Sequence, residues 1–170
     1  GLNYSRDVNT NQIERAVSAA KKSDVVLLFV GEEAILSGEA KCRARLDLPG
    51  AQAQLVAAVA ATGKPVVMVV MAGRPLCIGN EIANANAVLY TFHGGTMAGP
   101  AISDLLFGKS IPSGKLPVTI PQAEGQIPIY YYQKETGRPP HHFTLIDDIP
   151  VGAKQTSLGF CTYWLDTGIE

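Results

Sequence analysis

Three short stretches of the chain are apolar almost from end to end: "VVLLFV" (25–30), "KPVVMVVM" (64–71) and "AVLYTF" (87–92). A strand with one wet face alternates apolar and polar residues. An unbroken β-branched run instead belongs to a strand covered on both faces, the usual condition of a parallel sheet. Helical patterns lie between and around these runs. In "NQIERAVSAAKKSD" (11–24) Ile13, Ala16, Val17 and Ala20 share one helical face, with Asn11 as N-cap and Glu14 completing a capping box. "AQAQLVAAVAATG" (51–63) reads as an Ala-rich helix ended by Gly63, and "MAGPAISDLLFG" (97–108) as a helix ended by Gly108. "AGRPLCIGNEIANAN" (72–86) holds a turn and at most a short helix, and "KLPVTI" (115–120) is a later strand candidate. Strands alternating with helices call for right-handed crossovers. The expected fold is an α/β three-layer sandwich, its mainly parallel sheet flanked by helices, flavodoxin-like in general form. Residues 1–170 are expected to form a single domain in which residues 121–170, rich in Pro, Gly and Tyr, make an extended tail.

Several function classes fall away. The formal charge is −1, and no segment gathers Lys and Arg as phosphate neutralisation requires, so no nucleic-acid partner is expected. No apolar run reaches the roughly 18 residues of a membrane span, and "GLNYSRDVNT" lacks the basic start and apolar run of a signal peptide. Cys42, Cys77 and Cys161 are widely spaced and read as free thiols. The adjacent His141 and His142 would point to opposite sides of a strand, so neither a metal site nor a cofactor is expected. The phosphate-binding glycine patterns of nucleotide enzymes do not occur, and "GGTMAG" has its glycines in the wrong places. No G-x-S-x-G elbow is present for a serine hydrolase.

One connection is anomalous. Loops between a strand and the next helix usually take about two to six residues. "GEEAILSGEAKCRARLDLPG" (31–50) takes twenty and carries Glu32, Glu33, Glu39, Lys41, Arg43, Arg45 and Asp47. It leaves the carboxyl end of the first strand, where open parallel sheets gather their ligands. Carboxylates are then the chemistry available, and one that donates a proton near neutral pH needs burial or a nearby negative charge to raise its pKa. Glu39, between Gly38 and Ala40, lets the backbone approach a ligand closely. Glu32 and Glu33, at the strand end, offer either support or an alternative acid.

The segments "VGEEAILSGEAKCRARLDLPGAQAQLV", "TGKPVVMVVMAGRPL", "AVLYTFHGGTMAGPAISDLLFGKSIPSGKLPVTIP" and "GQIPIYYYQKETGRP" together resemble, in order, the second, α/β-sandwich domain of family 3 glycoside hydrolases, the β-glucosidase and β-xylosidase group. The resemblance implies a partner, an N-terminal barrel domain bearing an aspartate nucleophile. It also implies that the sandwich loop supplies the acid/base from a Ser-Gly-Glu stretch, here Ser37, Gly38 and Glu39. By it, Ser37, Arg43 and Glu33 are substrate-binding candidates, a structural salt bridge remaining open for Arg43. The implied substrate is a β-linked oligosaccharide or glycoside, and the implied location of the parent protein is periplasmic or extracellular. "GRP" (73–75) and "SGKLP" (113–117) look like family signatures with an architectural role. Cys42 stands where Ser or Asp would be usual. The chain is expected to be excised from a longer one and, lacking a nucleophile, to be inactive alone. A non-catalytic carbohydrate-binding or interaction module on the same scaffold is the alternative.

Overall fold

The computed structural model describes residues 2–132 and the backbone of residues 161–163, in two compact units that divide after Gly114. In the first unit β1 (Val26–Gly31), β2 (Val66–Met71) and β3 (Ala87–Tyr90) form a parallel sheet in the order β1-β2-β3, with Val26 opposite Val66 and Val67 opposite Ala87. The helices α1 (Ile13–Lys21), α2 (Gln52–Ala60), α3 (Gly79–Ala83) and α4 (Ala98–Leu106) alternate with them. The expected fold class is the observed one.

The apolar runs form the strands they promised, but their burial differs. In the central β2, Val66, Met68, Val69 and Val70 are sealed from solvent. In β1, Leu28 and Val30 are buried while Leu27 and Phe29 stand 41% and 52% exposed. Cover on both faces, expected from the unbroken run, is therefore not found for β1. The cause is its place at the sheet edge. Residues i and i+2 of a strand share a face, so Leu28 and Val30 form the buried face and Leu27 and Phe29 the open one. On that open face a shallow groove remains between Leu27, Phe29 and Met71 of the sheet and Ile102, Leu106 and Phe107 after the third strand.

Helix α1 begins differently from its expected capping box. Gln12 is the N-cap and provides no side-chain cap bond. Upstream, Asp7 Oδ1 accepts the Asn9 N–H at 2.9 Å, and Asn9 Oδ1 accepts the Asn11 N–H at 2.8 Å. The second of these Asx turns takes up the Asn11 N–H, the group that the Glu14 side chain would have bonded in the expected box. Helices α2 and α4 run as expected, with Gly63 and Gly108 in left-handed conformation just beyond them.

In the second unit β4 is only Ile120–Pro121, antiparallel to β5 (Cys161–Tyr163). The strand expected over residues 115–120 thus forms at its last position alone. Pro117 cannot donate to a ladder, and the chain bends at residues 117–118. A short 3₁₀ turn follows at Glu124–Gln126. Most of the expected tail, and His141 and His142 with it, lies outside the described residues.

Candidate functional site

The long connection after β1 is fastened where it leaves the sheet and where it returns. At Gly31 φ is +139°, and a Cβ there would collide with the carbonyl oxygen of Met71 on β2. At Gly50 φ is +66°, and a Cβ would fall 2.6 Å from the Asp7 carbonyl oxygen. Only glycine suits either position. The buried Gln52 ties the two ends together. Its Oε1 accepts the Gly31 N–H at 2.8 Å, while its Nε2 donates to the carbonyls of Gly31 at 2.8 Å, Ser5 at 2.9 Å and Pro49 at 3.1 Å.

Above these anchors stands Glu32, whose side chain is fully buried. Its Oε1 accepts from Arg43 Nη1 at 2.7 Å and its Oε2 from Arg74 Nε at 3.1 Å. A buried carboxylate is tolerable when it is paired and hydrogen-bonded in this way. Arg43 continues to the Asp47 carbonyl at 3.0 Å and to Asp47 Oδ1 at 3.3 Å. Arg74 continues to the carbonyls of Leu36 and, at 3.0 Å, Lys41. Tyr90, at the end of β3, donates its hydroxyl to the Arg74 carbonyl at 2.6 Å, and burial pushes its phenol well above the usual range. One carboxylate thus joins the loops after β1 and β2. Both of its oxygens are occupied by guanidinium groups, an arrangement for holding a loop and not for delivering a proton.

Glu33 is engaged elsewhere. Ser5 Oγ donates to its Oε1 at 2.9 Å, and Arg6 Nη2 and Nε donate to its Oε2 at 3.1 and 3.3 Å. The Arg6 bond first, then that of Ser5, holds this carboxyl below the usual glutamate range. Glu33 also lines a concavity of the first unit, with Tyr4, Ser5, Leu28, Gln52 and Leu55; Glu39 does not.

Glu39 contrasts with both neighbours. It is exposed and makes no hydrogen bond or ion pair with the described residues. It follows the Ala34–Leu36 turn and sits between Gly38 at φ +124° and Ala40 at φ +58°. Ala40 is one of two non-glycine residues with positive φ among those described; the other is Phe92, at φ +50°, in the turn after β3. Such conformations cost about 1–3 kcal/mol each and persist where the surroundings over-determine them. Next to Glu39, the Ser37 hydroxyl is buried without a partner among the described residues.

The five residues singled out from the sequence, Glu32, Glu33, Ser37, Glu39 and Arg43, therefore lie on one loop. The structure brings Arg43 to Glu32, leaves Glu39 at the tip, encloses the Ser37 hydroxyl and pairs Glu33 with the N-terminal segment. Sequence reading missed Arg74, Gln52, Tyr90 and His93. Arg74 had a usable signal: it follows β2 as Glu32 follows β1, and parallel neighbours in register bring such loops together.

A parallel sheet whose carboxyl edge carries a braced loop with an unengaged carboxylate at its tip defines an α/β domain with one candidate site. The chain belongs to the glycosyl hydrolase family 3 C-terminal domain family, whose model matches residues 4–161. It is 49% identical over 127 residues to a periplasmic beta-glucosidase of Salmonella typhimurium, covering 75% of this chain and 17% of that protein. It is 40% identical over 138 residues to a beta-xylosidase of Formosa agariphila, covering 78% and 19%. Among solved structures, a beta-glucosidase from Listeria innocua superimposes with a TM-score of 0.77 at 37% identity, covering 91% of this chain and 21% of that one. The chain spans about a fifth of the length of these relatives. Among the described residues no helix is long and apolar enough to cross a membrane.

Proposed function

We propose that this chain is the acid/base-bearing part of a retaining β-glycosidase that hydrolyses terminal β-linked glucosides or xylosides. The observation that carries the reading is Glu39: a carboxylate with no partner among the described residues, on a strained tip whose base is locked. Glu39 protonates the leaving glycosidic oxygen while an aspartate on an N-terminal barrel domain attacks the anomeric carbon. In such enzymes the two carboxyl groups stand about 5–5.5 Å apart. Water then displaces the sugar from the aspartate, and Glu39 takes its proton. The beta-glucosidase and beta-xylosidase relatives support this substrate class, and the periplasmic relative supports a periplasmic or extracellular site of action. Glu33 has a carboxylate partly open to a ligand, Arg43 acts on the substrate through the loop it holds, and Ser37 lies two residues from the acid with its hydroxyl enclosed. The bonds of Arg43 to Glu32 and Asp47 favour the structural role that its sequence position left open.

The test is made in the full-length parent enzyme. Glu39→Ala should lower turnover strongly, and added azide should restore it for substrates with a good leaving group. Normal turnover of an unactivated disaccharide by that variant would remove Glu39 from the mechanism. The isolated chain should release no p-nitrophenol from an aryl β-glucoside. Release that Glu39→Gln abolishes would show that the nucleophile is not needed from elsewhere.

A further inference from the structure

Ser37 Oγ is buried and unpaired among the described residues, a state that is unfavourable unless something supplies the missing bond. A candidate lies across Gly73. A Cβ on Gly73 would collide at once with Ser37 Oγ and with His93 Nε2. The two polar atoms therefore flank one small space, the first from the loop after β1 and the second from the turn after β3. His93 is exposed and makes no hydrogen bond with the described residues, and its Nε2 can donate or accept according to tautomer. Ala40 and Phe92, the left-handed non-glycine residues, lie in the two segments that meet here, one next to Glu39 and one next to His93. Strain at two facing segments is what a mutually held pair of loops retains.

We propose that Ser37 Oγ and His93 Nε2 close into a hydrogen-bonded latch, directly or through one water in the space Gly73 leaves, and that His93 is thereby a positioning residue for Glu39. The proposal rests on Glu39 being the acid/base. Only Gly38 separates Ser37 from Glu39, so a bond at Ser37 fixes the backbone that aims the carboxylate. A sugar hydroxyl is a poorer partner for Ser37, because its Oγ is enclosed by protein.

In the full-length enzyme, His93→Ala and Ser37→Ala should each reduce kcat on an unactivated β-disaccharide about ten- to a hundredfold, the scale of a small misplacement of a catalytic group. On a dinitrophenyl glycoside, whose leaving group needs no proton, kcat/KM should fall at most about twofold, while kcat and KM fall together because the water that releases the sugar still needs Glu39 as base. The double variant should be no worse than either single one, and His93→Gln should recover much of the loss. Gly73→Ala, which wedges the space without removing a polar group, should behave like the single variants. Equal losses of kcat/KM on both glycosides, additive losses in the double variant, or a change in KM alone on the disaccharide would overturn the latch. The two readings fail separately. Normal disaccharide turnover by Glu39→Gln removes the acid on which the latch rests, whereas a large loss there with none in His93→Ala removes the latch alone.

Discussion

Glu32 and Glu39 lie seven positions apart in one loop and have opposite surroundings. Glu32, at the root, is fully buried, and each of its oxygens accepts from an arginine. Glu39, at the tip, is exposed between two residues of positive φ and touches none of the described polar groups. The contrast separates holding from reacting. A carboxylate whose oxygens are both taken up by guanidinium groups contributes geometry. A carboxylate with its acceptors open is available to a substrate, and its position is only as good as the root beneath it.

The largest expected effect is at the tip. Glu39→Gln in the full-length enzyme should lower kcat on an unactivated β-glucoside by about 10²–10⁴-fold, the usual contribution of general acid/base catalysis. Its effect on unfolding should stay within about 0.5 kcal/mol, as for an exposed residue with no partner. Kinetics and thermal denaturation of one preparation read both numbers, and a large fall in stability would contradict the tip's independence.

At the root the order should reverse. Glu32→Gln leaves Arg43 and Arg74 facing an amide, and should destabilise the fold by about 3 kcal/mol. That is the low end for breaking a buried pair, since both arginines retain some contact with water. Urea denaturation of the 170-residue chain measures it. Unchanged stability would mean that the two arginines do not brace the loop.

A third variant tests the fastening below. Gln52→Leu removes four hydrogen bonds and strands the Gly31 N–H and carbonyl in a buried place. The expected loss is about 1–3 kcal/mol, mostly the desolvation of groups left unpaired. A loss confined to a few tenths would show that water replaces the amide without penalty.

The same contrast explains how much was legible in the residues. Strands and helices were readable because an apolar run or a helical period is local information, and α2, α4 and the three sheet strands appear where expected. The open face of β1 was not readable, since edge position depends on which elements cover it and not on "VVLLFV". The long loop was conspicuous by length and charge, yet its charges alone did not divide into root and tip. Glu32 becomes a root only when β2 brings Arg74 beside it, a pairing 42 residues apart in the chain. Resemblance, not spacing, singled out Glu39. Asn11 is not the cap: Gln12 holds that place, and Asn9 takes the Asn11 N–H that Glu14 would have bonded, a competition between polar side chains that no periodicity resolves.

The smallest expected effect concerns Glu33, which belongs to neither root nor tip. Arg6 and then Ser5 hold its carboxyl below 4.5, the ordinary value for glutamate. A carboxyl that gives up its proton more readily in the folded chain stabilises that chain at pH values above its unfolded pKa, and the benefit disappears as pH falls through the folded pKa. Arg6→Ala should therefore lower Tm slightly at neutral pH, and the gap from the parent sequence should close as the pH falls through the folded pKa of Glu33. Because Arg6 is half exposed, added salt should narrow the neutral-pH gap as well. Melting curves of both chains across pH, at low and high salt, make the measurement. A gap that persists unchanged at acid pH would mean that Arg6 stabilises through its packing and not through the charge on Glu33. Glu33 would then lose the feature that distinguishes it from Glu39, a neighbouring cation that keeps it ionised.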